Sequence, residues 1–183
     1  MVAQSKKRNV KIARQKKKIR ESVWPDIDDS RLWLYKNIDG WLSIPRTMPL
    51  IMRIADMMAP KGKPVSQTYL DLWCRTFDDG FVIITKPREM AFYSGFSGER
   101  AEHTWATRMR ILSELGFINI QPGPHGTMNY VLIFNPYHVI KDRDDEGKVD
   151  SAAFNALKVR MIEIGAFDLD DYETKQSEDA KAS

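Results

Sequence analysis

Cysteine is nearly missing from this chain. The 183 residues hold one, Cys74, which excludes an intrachain disulfide and a multi-cysteine metal site. Lying between Trp73 and Arg75 in a helical stretch, it reads as a small buried hydrophobe rather than a nucleophile. Long apolar runs are missing too. No 18 consecutive apolar residues occur, and no apolar segment follows the basic N-terminus, so neither a membrane-spanning helix nor a signal peptide is expected. A soluble, cytoplasmic protein with no membrane partner follows. Histidine is scarce: His103, His125 and His138 stand far apart without a matching carboxylate or cysteine cluster, so neither zinc-ligand spacing nor a nucleophilic triad can be assigned. PGPHG, residues 122–126, lacks the Lys-Ser/Thr ending of a phosphate loop, and there is no dinucleotide fingerprint. Carboxylates gather at Asp26, Asp28 and Asp29 and again at Asp142, Asp144 and Asp145; such acid-rich loops read as solvated rather than as cation sites. The expectation is a protein that is not an enzyme and carries no cofactor or metal.

What is present is an uneven distribution of charge. The net charge is +3, yet residues 1–20 contain nine Lys/Arg and no acid, while residues 168–183 contain six acids against two Lys. The remaining 147 residues carry 17 bases and 19 acids, so general attraction to polyanions resides in the first twenty residues. That arm is too poor in apolar side chains to fold alone and is expected to be disordered over 1–22. Lys16, Lys17, Lys18 and Arg20 are its candidate phosphate contacts; a solubilising tail is the plainer alternative. The acidic tail, 166–183, is expected to be a solvated linker.

The most informative stretch runs from Lys86 to Pro136. Arg88 to Tyr93 is a compact helical run with Met90 and Ala91 turned inward. Ser94 and Gly95 break it, Gly95 suiting a left-handed C-terminal cap. Ser97 is expected to cap a second helix, with Glu99 adding negative charge where the dipole favours it. At 100° per residue Ala101, Trp105, Leu112 and Leu115 form one stripe with Met109 at its edge, which predicts the buried face. The opposite face carries Arg100, His103, Thr107 and Arg110, with Thr104 on the flank. Gly116 ends this helix. Beyond it, Phe117, Ile118, Ile120 and Tyr130 to Phe134 have strand character, and GPHGTMN between them has turn chemistry.

EMA, SGFSG, ILSELGFI and the Gly-containing hairpin after them resemble the winged helix-turn-helix of bacterial DNA-binding proteins, among them transcription regulators and plasmid replication or maintenance proteins. The resemblance covers about a quarter of the chain. It departs from the usual pattern at Arg108, beside the apolar stripe, where an aliphatic residue is expected; Arg108 is predicted to be tied to a carboxylate and is not a DNA contact.

Upstream, residues 23–44 form a Trp-rich strap with Trp24, Trp33 and Trp41 inside eighteen residues. Arg31 to Tyr35 and Trp41 to Ile44 read as extended segments around Asn37 to Gly40, expected to pack on the domain, a subunit contact being the alternative. A helix is predicted from after Pro45 to Ala59, with Met57 and Met58 in the core. A second runs from a Ser66 cap to Phe77, burying Tyr69, Leu70, Trp73 and Cys74. Phe81 to Thr85 is a strand able to join the hairpin. After the hairpin, a helical turn or two spans Pro136 to Lys141, DRDDEGK is a polar linker, and Ser151 to Ile164 is an amphipathic helix that either docks on its own subunit or pairs with a second copy.

The expected fold is α+β and mainly helical: a winged helix over 45–141 with a three-stranded antiparallel sheet, plus an extra terminal helix at 151–165. The resemblance implies a sequence-specific protein for double-stranded DNA, a transcriptional regulator or a replication or partition control protein of a plasmid or mobile element, associated with the nucleoid when bound, either as a single chain or as a homodimer. His103, Thr104 and Thr107 would reach base edges, Arg100 and Arg110 guanine or phosphate, Lys86 and Arg88 the backbone, and His125 phosphate or the minor groove. The alternative is a winged-helix protein-interaction subunit whose basic arm binds nucleic acid or an acidic partner non-specifically.

Overall fold

The computed structural model describes residues 2–34, 39–76, 79–170 and 172–174, and the side chains of these from Val10 onward. The chain is α+β and mainly helical, in two units divided after Ser43.

In the first unit the basic arm departs from expectation. Val2–Val23 is one helix, α1, not a structureless segment. Its Ala, Lys, Arg, Gln and Glu residues are good helix formers, and neither Gly nor Pro occurs before Pro25. Beyond Pro25 the chain makes a 3-10 turn, Asp29–Arg31, capped by the Asp28 carboxylate, which accepts from the Ser30 nitrogen at 2.9 Å. That bond holds the Asp28 pKa below its usual value. Arg20 reaches forward to Asp29 at 3.0 Å, so Asp28 is spent on the turn and Asp29 on α1. The strap contains no strand among its described residues, and Tyr35 and Asn37 lie outside them. Within this unit Trp24 and Trp33 are exposed, Trp33 at 68%, and Trp41 half-exposed.

The second unit begins at Ile44. Helix α2, Met48–Met58, buries Met48, Ile51, Ile54 and Ala55, with Pro49 in the first turn, where its missing N–H costs nothing. The start is pinned by the Thr47 hydroxyl, hydrogen-bonded to the Tyr137 hydroxyl at 2.5 Å. Met57 is 48% exposed and outside the core, because at 100° per residue it falls on the side of α2 opposite the buried Met48 and Ala55. Helix α3, Ser66–Trp73, is shorter than expected; Phe77 lies outside the described residues. Ser66 does not cap it. The Asp56 carboxylate of α2 accepts from the backbone nitrogens of Val65 and Ser66 at 2.6 and 2.8 Å, so the cap comes from another helix. Cys74 sits just past the end and is exposed rather than buried. Partial desolvation and then the nearby Asp71 charge raise its thiol pKa.

Strand β1, Phe81–Ile83, is followed by α4, Pro87–Tyr93, and α5, Ala101–Leu115. Strands β2, Ile118–Gly123, and β3, Gly126–Ile133, complete an antiparallel sheet of order β1-β3-β2. Val82 pairs with Val131 and Ile118 with Ile133. The sheet turns Val82, Ile118 and Val131 toward the helices, where Trp105, Tyr69 and Phe117 are the bulkiest fully buried side chains. Tyr69 and Phe117 meet at 5.2 Å between ring centroids.

Helix α6, Pro136–Asp145, takes in the first half of the expected polar linker. Asn135 caps its start through the Tyr137 nitrogen at 3.0 Å, and Lys141 pairs with Asp145 one turn on. Helix α7, Ser151–Ile164, has the predicted limits and an Asp150 cap. Its Phe154, Leu157 and Met161 enter the same core as α2, so that face docks on its own subunit and 151–165 is no separate module. The start of the acidic tail is ordered as well: residues 168–170 and 172–174 are helical, Leu169 is buried, and the Tyr172 ring stacks on His138 at 3.9 Å while its hydroxyl donates to Asp142 at 2.9 Å. The sequence had offered no apolar run there; a few contacts to α6 suffice. Among the described residues no helix is long and apolar enough to cross a membrane.

Candidate nucleic-acid interface

Helix α4 ends as its sequence demands. Gly95 has φ +82°, which lets the Phe96 nitrogen bond the Ala91 carbonyl and the Gly95 nitrogen the Phe92 carbonyl, both at 2.9 Å. This crossed pair of bonds closes the helix and turns the chain toward α5.

The start of α5 differs from expectation. Ser97 does not cap it, and the helix begins four residues later with Arg100 in the cap position and no side-chain cap. Gly98 explains the delay: its φ of +82° is incompatible with a helix running through it. Glu102, not Glu99, is the acid of the first turn. Downstream the stripe is as read, with Ala101, Trp105, Met109 and Leu112 buried. Arg108 is buried too, at 9% exposure, but it holds no carboxylate among the described residues. Its guanidinium lies over the Phe96 ring at 5.7 Å, so an aromatic face takes the role assigned to an acid.

The outward face of α5 presents Arg100, His103 and Arg110 exposed and Thr104 and Thr107 half-buried. The Thr107 hydroxyl donates to the His103 carbonyl one turn back at 3.0 Å, which leaves its oxygen as an acceptor and its methyl for contact. Glu99, Glu102 and Glu114 are exposed around the same helix. Over residues 99–114 three arginines, Arg108 among them, balance three glutamates, so α5 has no net attraction for a polyanion, and recognition by this face would have to come from directed hydrogen bonds.

Two further sets of candidates lie in the same unit. Lys86 and Arg88 are exposed at the start of α4. Lys86 bonds Glu89 at 2.9 Å, a contact that raises its pKa, through the hydrogen bond first and the Glu89 charge second. His125 is exposed at the two-residue tip between β2 and β3. The strands run farther than expected, leaving Pro124 and His125 as the tip, and Asn129 is what tightens them. Its side-chain amide donates to the Ile84 carbonyl at 2.7 Å and its oxygen faces the His125 nitrogen at 3.4 Å, tying the hairpin to the chain beyond β1. Gly123 passes so close to this amide that a Cβ there would lie 2.2 Å from the Asn129 oxygen. Arg110, Ser113 and Glu114 of α5 and Ile120, Thr127 and Met128 of the hairpin line one groove of about 440 Å³. The outer face of α5 and the hairpin therefore border a common surface. Lys16, Lys17, Lys18 and Arg20 belong to α1 in the first unit, where Lys17 pairs with Glu21 at 3.6 Å and Arg20 with Asp29.

Sequence reasoning missed Arg143, which sits in a stretch read as polar linker. From α6 its Nε donates to the Leu115 carbonyl at 3.0 Å and its Nη2 to the Glu114 carbonyl at 2.9 Å, while Nη1 bonds Glu146 at 2.8 Å. A cation at the negative end of α5 satisfies two of its last carbonyls. No periodicity marks such a residue, because its partners lie almost thirty positions away. Arg143→Met keeps the side-chain stem and removes the donors; it should cost ~1–3 kcal/mol in a urea titration, with the α5 end fraying first in amide hydrogen exchange.

No protein-family model matches the chain, and neither the curated proteins nor the solved structures provide a significant match to it.

Proposed function

We propose that the second unit is a winged helix that reads double-stranded DNA, with α5 as the recognition helix in the major groove and the β2–β3 hairpin as the wing. The observation that carries this reading is the shared groove: the polar outer face of α5 at Arg110 adjoins the hairpin at Thr127 and Met128, so a duplex lying along α5 meets the hairpin beside it. His103, Thr104, Thr107 and Arg110 are the base-reading candidates, Arg100 a second cation on the same face, and Lys86, Arg88 and His125 the backbone contacts. The charge pattern divides the labour. Because α5 is charge-balanced, specificity rests on hydrogen bonds there, while salt-sensitive affinity comes from the cations of α1. Control of transcription, or of replication or partition on a mobile element, is the role that the resemblance to bacterial winged helices suggests.

A second reading is favoured by the same charge balance. A winged helix whose α5 carries more exposed acid than arginine can serve as a protein-binding module, with α1 as a polyanion tether. Selection of bound duplexes from a random library separates the two. A motif enriched equally by the full chain and by a chain starting at Glu21 supports base reading by α5. Recovery of unselected DNA by the full chain alone supports the tether. Once a site is known, Arg110→Ala should weaken it by ~1–3 kcal/mol, about 5- to 150-fold, with little change on random duplex. Equal losses on both in a fluorescence anisotropy titration would remove the base-reading role of Arg110.

A further inference from the structure

Helix α5 holds a charge that its own fold does not satisfy. Arg108 lies on the inward stripe and is 9% exposed. A guanidinium offers five N–H donors in a fixed fork and keeps its charge inside proteins. No ion pair or hydrogen bond among the described residues uses these donors, and Nε is fully shielded without a partner. The guanidinium carbon stands 5.7 Å from the centre of the Phe96 ring, which supplies an aromatic face but no acceptor. A buried cation needs more than such a face, and its usual partner is an anion. The acids nearest along the chain, Glu99 and Glu102, remain exposed. The acceptor that Arg108 lacks therefore has to come from outside the subunit.

Helical side chains lean toward the N-terminus of their helix, so Arg108 runs past Thr104, one turn back on the same flank. The Phe96 contact sets its guanidinium against the turn that leads into α5. Of its nitrogens only Nε is fully shielded, so the outer pair, Nη1 and Nη2, is the part that reaches the surface. At the same end of α5 the first N–H groups meet no side-chain cap, and the helix dipole is positive there. We propose that Arg108 is a phosphate anchor, taking one backbone phosphate of a duplex laid along α5 in the fork of Nη1 and Nη2. The assignment rests on the reading of α5 as the recognition helix, and it adds a contact that a carboxylate partner for Arg108 would have excluded. Thr104 places the opening at the rim of the face proposed to read bases, where the nearest anions of a bound duplex are its phosphates. A guanidinium matches two phosphate oxygens at once.

Arg108→Met keeps the stem and removes the charge. Its urea midpoint should equal or exceed that of the wild type, because the substitution removes a buried cation that no side chain pairs. A large fall in the midpoint would mean that Arg108 has a structural partner, and would overturn the proposal. In anisotropy titrations of the full chain, Arg108→Met should weaken a selected site and a random duplex alike. The slope of log affinity against log salt should become shallower by ~0.9, the share of one phosphate. Arg108→Lys, a cation without the fork, should keep the slope and lose part of the affinity. A slope for Arg108→Met equal to that of the wild type overturns the backbone contact, as does a full chain that binds no duplex. A second measurement needs no DNA. Inorganic phosphate, compared with chloride at equal ionic strength, should raise the urea midpoint of the wild type more than that of Arg108→Met. Equal rises would be the general effect of the salt on folding and would overturn the anion site. A difference there with unchanged slopes on DNA would assign the site to free phosphate, against the backbone contact. Failure of base reading by α5 shows separately, as the absence of an enriched motif.

Discussion

Trp105→Ala should destabilise the second unit by ~3–5 kcal/mol, the range for deleting a fully buried aromatic. Trp105 is 1% exposed and sits in the buried stripe of α5. Domains of this kind have ~5–15 kcal/mol in total, so the variant would keep only part of its stability. At ~2 kcal/mol per molar the urea midpoint should fall by roughly 2 M. The indole nitrogen has no hydrogen-bond partner among the described residues, so Trp105→Phe loses volume but no bond and should retain most of the midpoint. A Trp105→Phe variant as unstable as Trp105→Ala would mean that the indole N–H is satisfied and that packing is not the main term. Because α5 carries its outward residues on the same helix, Trp105→Ala should also abolish any specific DNA binding at temperatures where the wild type still binds.

Removal of residues 1–20 should have the largest effect on binding to duplex of any sequence. Each phosphate contact contributes ~0.9 to the slope of log affinity against log salt. If all nine cations act, the slope should become shallower by about 8, and by about 6 if Lys17 and Arg20 remain with Glu21 and Asp29 as in the structure. Seven contacts correspond to a loss of roughly 10⁴ in affinity between 50 and 200 mM salt for the full chain, which the truncated chain should not show. Anisotropy titrations on a random duplex at several salt concentrations measure both slopes. Parallel slopes would exclude α1 as the electrostatic contact. The helical form of α1 adds a condition that a structureless arm would not impose: its cations recur at 1.5 Å per residue along a rod, so they are held in fixed spacing when they meet phosphates.

Much of this was legible because it is local. The limits of α7, the burial of Met90, Ala91, Trp105, Met109 and Leu112, the left-handed turns at Gly95 and Gly116 and the three-stranded antiparallel sheet all follow from periodicity or from a single backbone requirement. The candidate face of α5 was legible for the same reason, as the complement of a buried stripe. The misreadings share a different cause. Ser66 and Ser97 have the right chemistry for a cap, yet Asp56 serves α3 from another helix and Gly98 moves the start of α5. Arg108 was assigned a carboxylate and received the Phe96 ring.

By itself, the sequence determined α2, α4, α5, α7 and the three strands in outline, the inward stripe of α5 and α7, and that the excess of positive over negative charge lies in the first twenty residues, since each is read from neighbouring positions. Only the tertiary structure decided that α7 and the start of the tail belong to the core, that Arg143 holds the end of α5, and that the α5 face and the hairpin border one groove. Those are relations between residues tens of positions apart. They are set by which surfaces bury one another and which backbone groups still lack a partner when the chain has closed on itself.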